Sequence, residues 1–194
     1  QESFSSLILL ETNDSYFLPK HMYYNYPSKV FSYRTASNPA EPEKVDINFN
    51  GTLRPIQQEA YDAMEKIYNK NGYINGIIKI PPGQGKTVLA SYCIHKFGMK
   101  TCILLDNSHL LEQWKEELIK FTDLTEDDIG IIRQKQFDPN KPVQIAMCQT
   151  LVSKIKSNFK TAFKQIDSLN FGLVIYDEVH ATSASEKFAQ VSLL

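Results

Sequence analysis

The chain has 194 residues, room for one sizeable domain and a small accessory piece at roughly 100 to 200 residues per domain, and too few for two large ones. Its 42% hydrophobic and 22% charged residues give enough apolar surface to bury a core, which excludes wholesale disorder and fibrous classes. With 21 Lys and Arg against 22 Asp and Glu, the net charge of -1 supplies no global basic field, so any nucleic-acid binding must come from a local surface.

Cys93, Cys102 and Cys148 are odd in number, lie in apolar segments and form no CxxC pair. That argues against a disulfide framework or a zinc site and fits a reducing intracellular compartment, cytoplasmic or nucleoid/nuclear, rather than secretion. The longest apolar runs, at residues 6–10 and 171–176, fall far short of the roughly 20 residues of a membrane helix. No basic segment leads an apolar one at the N-terminus, so neither a membrane span nor a signal peptide is expected.

Residues 1–50 carry Tyr16, Phe17, Tyr23, Tyr24, Tyr26, Phe31 and Tyr33, punctuated by Pro19, Pro27, Pro39 and Pro42. Little helical periodicity runs through them, and the expectation is a small strand-and-turn accessory element followed by an exposed linker over 35–46. Stacking of its tyrosines on bases, beside Lys20, His21 and Lys29, competes with the plainer reading of a small β core.

From 51 to 194 the pattern alternates helices with short buried strands. Leu53, Ile56, Ala60, Met64 and Ile67 recur at helical spacing behind Thr52, an N-cap candidate, with Pro55 in the first turn, and the helix should reach about Asn69. A strand is expected over 76–80, a helix over 86–97, a strand over 101–105 and a helix capped by Ser108 through Phe121. Strands near 129–133 and 143–147 follow, then two helical stretches over 150–168 and a last strand at 171–176. Apolar strands separated by helices predict a parallel α/β sheet, whose ligands bind at the carboxyl ends of the strands.

The polar motifs fall at those ends. Pro81-Pro82-Gly83-Gln84-Gly85-Lys86-Thr87 lies between a predicted strand and a predicted helix. Its glycines let backbone N–H groups turn inward around phosphate oxygens, the helix adds its positive end, Lys86 supplies a point charge, and Thr87 offers a hydroxyl to Mg²⁺. Ile80 stands where the generic pattern has a further Gly, so the match is to the GxGKT form. Asp177-Glu178-Val179-His180 follows the last predicted strand about 90 residues downstream. Asp177 would hold Mg²⁺, partly through water, and Glu178 would orient and deprotonate an attacking water, making Lys86, Asp177 and Glu178 the catalytic set. An exposed Lys on a Gly-rich turn, and acids at a helix start, are the plain alternatives to each motif taken alone.

Together these motifs resemble the first RecA-like motor domain of a superfamily 2 DExH helicase or translocase, over roughly residues 51–194. The implied fold is a RecA-like P-loop NTPase, a parallel sheet flanked by helices, with the β-rich segment before it. Leu53-Arg54-Pro55-Ile56-Gln57 resembles the family's Q-type motif, which implies ATP binding by Arg54 and an adenine contact by Gln57, alongside Pro82, Gly83, Gln84, Gly85, Lys86 and Thr87. Asn107-Ser108 through Trp114 resembles motif Ia, and Cys148-Gln149-Thr150 the T-Q strand end. The resemblance therefore implies nucleic-acid contacts at Asn107, Ser108, Gln149 and Thr150, with His180 as a coupling residue. Trp114, beside Leu110, Leu111 and Leu118, reads as core rather than as a base-stacking platform. Leu-Arg-Pro, the Leu-Leu-Glu-Gln-Trp helix and Asp-Glu-Val-His are most similar to the phage and repair-type duplex-DNA branch.

The resemblance implies ATP and Mg²⁺ as cofactors and nucleic acid, DNA before RNA, as partner. It also implies a second RecA-like domain in the full-length chain, bearing the arginine finger. The Ser/Thr-Ala-Thr motif is not reached by residue 194, so weak activity of this fragment alone is expected. A nucleotide-responsive nucleic-acid-binding module, and a P-loop kinase or metabolic NTPase, are the competing readings.

Overall fold

The computed structural model describes residues 10–12, 15–17, 42–72, 74, 76–138, 140–158, 161–162, 165–166 and 168–177. Strands β1 (Leu10–Thr12) and β2 (Ser15–Phe17) form an antiparallel hairpin, which gives the N-terminal segment the expected strand-and-turn character. Tyr23, Tyr24, Tyr26, Phe31 and Tyr33 lie outside the described residues.

The main sheet contains β3 (Thr101–Leu105), β4 (Ile129–Arg133), β5 (Gln136–Phe137), β6 (Val143–Met147) and β7 (Leu173–Tyr176), in the order β5-β4-β6-β3-β7. Strands β4, β6, β3 and β7 are mutually parallel. The expectation of a wholly parallel sheet needs one correction, because β5 runs antiparallel to β4. The chain doubles back between them at Gln134, whose φ of 54° is left-handed. Every residue of β3 and β6 is buried, as central strands covered on both faces require.

Alternation along β3 divides its side chains between two cores. Ile103 and Leu105 join Ile94, Leu111, Trp114, Leu118 and Ile145 on the face covered by α2 (Lys86–Phe97) and α3 (Leu110–Phe121). Cys102 and Leu104 join Ala146, Leu151 and Val152 on the face covered by α4 (Cys148–Ser157). Helix α1 (Pro55–Asn71) packs through Tyr61 and Met64 on Leu89 and Cys93 of α2.

Strands β3, β4 and β6 and helix α2 keep the boundaries read from periodicity. Both expected N-caps move. Arg54 rather than Thr52 caps α1, its N–H donating to Gln57 Oε1 at 2.7 Å. At α3 the N-cap position falls on His109, with no side-chain cap bond, while in the turn before it the Asn107 side chain accepts from His109 N at 3.0 Å.

Two larger expectations are corrected. Residues 76–80 pair with no strand, and Ile77 is 77% exposed while Ile80 packs on Tyr61 and Met64. Among the described residues β7 is therefore an edge, with Val174 47% exposed. The expected linker over 35–46 is also different where it is described, because 42–50 lies along the domain as a strap. Val45 N donates to Gly98 O at 3.0 Å, Lys100 N to Glu43 O at 2.8 Å, and Asn50 N to Phe121 O at 2.8 Å. Lys100, 4% exposed, pairs with Glu43 at 2.8 Å, and Phe49 meets Tyr92 edge-on at 5.2 Å. Residues 42–50 are thus packed against the body of residues that follows them.

Candidate nucleotide site

Strand register fixes one rim of the sheet. Leu105 is level with Met147, and Leu104 with Tyr176, so Asp106, Cys148 and Asp177 all leave the carboxyl ends side by side. Asp177 N donates to Leu104 O at 3.1 Å, prolonging the ladder by one bond. Helix α2 returns to the same rim. Its C-terminal end joins the start of β3 through residues 98–100, and twelve helical residues at 1.5 Å each match five strand residues at about 3.3 Å. A helix of that length, run back along the sheet, brings its start toward the carboxyl-end rim.

The loop before α2 has the shape of an anion cradle. Gly83 has φ 74° and Gly85 φ 72°, left-handed conformations that glycine adopts without strain. Gly85 is the N-cap, no side chain caps the helix, and no acid occupies its first turn. Such a helix start, with its amides and positive dipole end, is the kind that binds an anion. Lys86 and Thr87 form its first turn, both half-buried.

Gln57 braces this loop from behind. It is 1% exposed, and its Nε2 donates to Gln84 O at 2.8 Å and Gly85 O at 2.9 Å while Oε1 accepts from Arg54 N. Arg54 Nη1 adds a bond to Gly83 O at 3.2 Å. Pro82 is exposed in the loop. Both ends of the Gln57 amide are thus engaged with backbone, a brace that its polar character on an amphipathic helix did not disclose.

This donor set fits a magnesium-bound triphosphate: a left-handed glycine pair, a helix start, an ammonium group, a hydroxyl and a carboxylate on one rim. Glu178 and His180 lie outside the described residues. Asn107 and Ser108 are exposed in the turn after β3, and Gln149 is exposed in the first turn after β6, one strand over. Thr150 is half-buried, and its hydroxyl accepts from Gln134 N at 3.0 Å.

Trp114 is buried as expected, at 3% exposure. Periodicity gave no sign of its partner: the indole Nε1 donates to Asp177 Oδ2 at 2.8 Å, across 63 residues of sequence.

Residues 50–193 match the family described as the type III restriction enzyme, res subunit. The chain belongs to that family. Among curated relatives, this res-subunit family chain is 34% identical over 145 residues to the DNA 3'-5' helicase XPB of Kineococcus radiotolerans, covering 74% of itself and 25% of that protein. It is 34% identical over 155 residues to the putative DNA 3'-5' helicase Rad25 of Halobacterium salinarum, covering 79% and 23%. To the probable helicase D10 of Escherichia phage T5 it is 35% identical over 104 residues, covering 54% and 20%. The chain thus spans about a quarter or less of the length of these relatives. A solved structure of the Sulfolobus solfataricus SWI2/SNF2 ATPase core in complex with dsDNA aligns at a TM-score of 0.47 and 16% identity, over 81% of this chain and 38% of that one.

Proposed function

We propose that the chain is the ATP-binding part of an ATP-driven DNA helicase or translocase, the first of two RecA-like domains in a longer protein. The reading is supported by the left-handed Gly83 and Gly85 loop at the start of α2 and by Asp177 at the carboxyl end of β7, in a chain of the res-subunit family.

Glycine-loop amides and Lys86 Nζ bind and orient the phosphates, with Gln57 and Arg54 holding the loop in shape. Thr87 and Asp177 are the residues that would hold Mg²⁺, which when bound neutralises charge developing on the phosphate oxygens. Glu178, of the Asp-Glu-Val-His box, orients the water and accepts its proton, and His180 couples the site to its surroundings. Asn107, Ser108, Gln149 and Thr150 form the phosphate-tracking edge, supported by the exposure of the first three at adjacent strand ends. DNA is favoured because the XPB and Rad25 relatives are named DNA helicases, against one mimivirus relative named a putative RNA helicase. The partner domain would supply an arginine worth about 10³ to 10⁵ in rate, so this chain alone hydrolyses ATP poorly. Three buried cysteines, none in a disulfide, are consistent with a reducing intracellular compartment,.

In the complete protein, Lys86→Ala should abolish nucleotide binding, and Glu178→Gln should bind nucleotide without turnover. DNA-stimulated hydrolysis that survives Glu178→Gln would refute the assigned base. Turnover indifferent to any nucleic acid would favour a metabolic NTPase. Strand-displacement and triplex-displacement assays separate unwinding, duplex translocation and static binding.

A further inference from the structure

Three features draw attention outside the roles already assigned. Ile77 in the segment before the glycine loop and Val174 on the edge strand β7 are exposed, but nothing identifies an occupant for either. The three cysteines are buried, Cys102 and Cys148 in one core cluster and Cys93 in another, and none reaches a ligand-accessible surface. The third feature is the bond between Trp114 and Asp177, which joins a residue with no assigned role to the carboxylate of the proposed metal site.

An indole N–H is a donor only, and when buried it takes a partner. Here the partner could have been one of the many backbone carbonyls of the core. Instead Trp114 packs among Ile103, Leu105, Leu111 and Leu118 and points its one polar atom out of that core at Asp177 Oδ2. The ring is immobilised by its neighbours, so the donor has a fixed position and direction. Asp177 stands just past the end of β7, where strand pairing restrains its backbone through Leu104 O but leaves χ1 and χ2 to the side chain's surroundings. A carboxylate that must present a set face to a hydrated metal gains from a donor that selects one rotamer.

We propose that Trp114 is a positioning residue for the phosphate–metal site: its indole N–H orients the Asp177 carboxylate toward Mg²⁺ bound with the nucleotide. This rests on the ATPase reading above. Trp114 also sits on the second turn of α3, the helix that begins at the exposed Asn107-Ser108 turn. A shift of that helix is therefore transmitted directly to the metal-holding carboxylate.

The test uses the chain with tryptophan at 114, with Trp114→Phe, and with benzothienylalanine at 114, an isostere in which sulfur replaces the N–H. ATP binding is titrated with a fluorescent ATP analogue at graded Mg²⁺ concentrations. Emission of Trp114, the single tryptophan of the chain, is followed separately as Mg²⁺ and ATP are added. The isostere and Trp114→Phe should raise the Mg²⁺ requirement by about tenfold to a hundredfold, as loss of an outer partner of a metal ligand does, with metal-free nucleotide affinity unchanged. Tryptophan emission should change with Mg²⁺ and ATP together, and Asp177→Asn should abolish that change. An isostere that keeps the wild-type Mg²⁺ dependence overturns the proposal, whether or not it unfolds earlier, because the bond then serves stability alone. A wild-type chain that binds ATP independently of Mg²⁺ instead overturns the reading beneath it.

Discussion

Gln57 and Gly85 are joined by a side-chain bond of 2.9 Å that spans 28 residues and ties α1 to the phosphate loop. A Cβ built on Gly85 would lie 2.6 Å from the same Gln57 nitrogen, and φ there is 72°. Two penalties therefore coincide at this position. Gly85→Ala must strain the backbone, by about 1 to 3 kcal/mol, and must also push the brace away. It should lower stability by that order in chemical denaturation and remove measurable ATP binding in calorimetry. Gly83 shares the left-handed φ but has open space around its Cβ position. Gly83→Asn, with the residue type most tolerant of that conformation, should cost much less of both quantities.

Replacement of Gln57 separates a brace from a base reader. The amide donates to two carbonyls and accepts one N–H while 1% exposed. Gln57→Glu keeps the acceptor but turns a carboxylate oxygen toward the carbonyls of Gln84 and Gly85. Leaving such groups buried and unpaired costs about 1 to 3 kcal/mol. If the residue acts through the loop, Gln57→Glu and Gln57→Ala should weaken ATP, GTP and inorganic triphosphate alike. A loss confined to the preference for adenine would assign the side chain to the base instead.

The parts of the fold that could be read in advance are those whose evidence is local. Strand β3 announces itself as an apolar run behind Thr101, β6 as one interrupted by Gln144, and the α2 start as a glycine turn before Lys-Thr. Residues 76–80 carry the same apolar signal and form no ladder, because an apolar run reports burial preference and not the presence of a pairing neighbour. Strap 42–50 misled in the opposite sense. Pro42, Glu43 and Lys44 read as part of a linker over 35–46, yet Lys100, 57 residues away in sequence, binds Glu43, and backbone bonds to Gly98 and Phe121 settle the course of the strap. At the site, the glycine turn before α2 and the strand-end place of Asp177 were legible from local pattern. Gln57's brace and Trp114's aim at Asp177 were not, since each is a contact between distant segments with no spacing rule.

Thiol chemistry reports on the core without any ligand. Burial pushes the thiols of Cys93 and Cys102 up from 9.0 to about 12, so both stay protonated in the native chain at pH 8. Their reaction with a thiol reagent at that pH should proceed only through unfolding and accelerate with denaturant in step with the unfolded fraction. Unfolding restores the ordinary thiol pKa. The stability these groups contribute is therefore complete below pH 9 and is lost progressively as pH rises from there through about 12. Tyr61, raised by burial and by its 2.8 Å bond to Glu65, adds in the same direction. The melting temperature should fall on going from pH 8 to pH 11, and Cys93→Ala with Cys102→Ala should flatten part of that fall. Rapid thiol modification at pH 8 without denaturant would contradict the burial.

Asp123 anchors the strap at its midpoint. Its carboxylate accepts from Asn48 N at 2.9 Å and Asn48 Nδ2 at 2.8 Å, and these two bonds hold its pKa below the usual carboxylate value. A depressed pKa stabilises the fold above the ordinary value of 3.8, and the contribution disappears as pH falls through the lowered value. The group is exposed, so solvent screening keeps the global effect small. Locally the consequence is larger, because the neighbouring bonds from Asn50 N to Phe121 O and Asp123 N to Asn48 O belong to the same seam. Asp123→Ala should leave the melting temperature nearly unchanged at neutral pH yet raise amide exchange at residues 48–50, while exchange at 43–45, pinned by Lys100 and Gly98, stays slow. Equal acceleration along 43–50 would mean that the strap releases as one unit, and protection unchanged at 48–50 would mean that Phe49, wedged between Tyr92 and Phe121, holds it without the carboxylate.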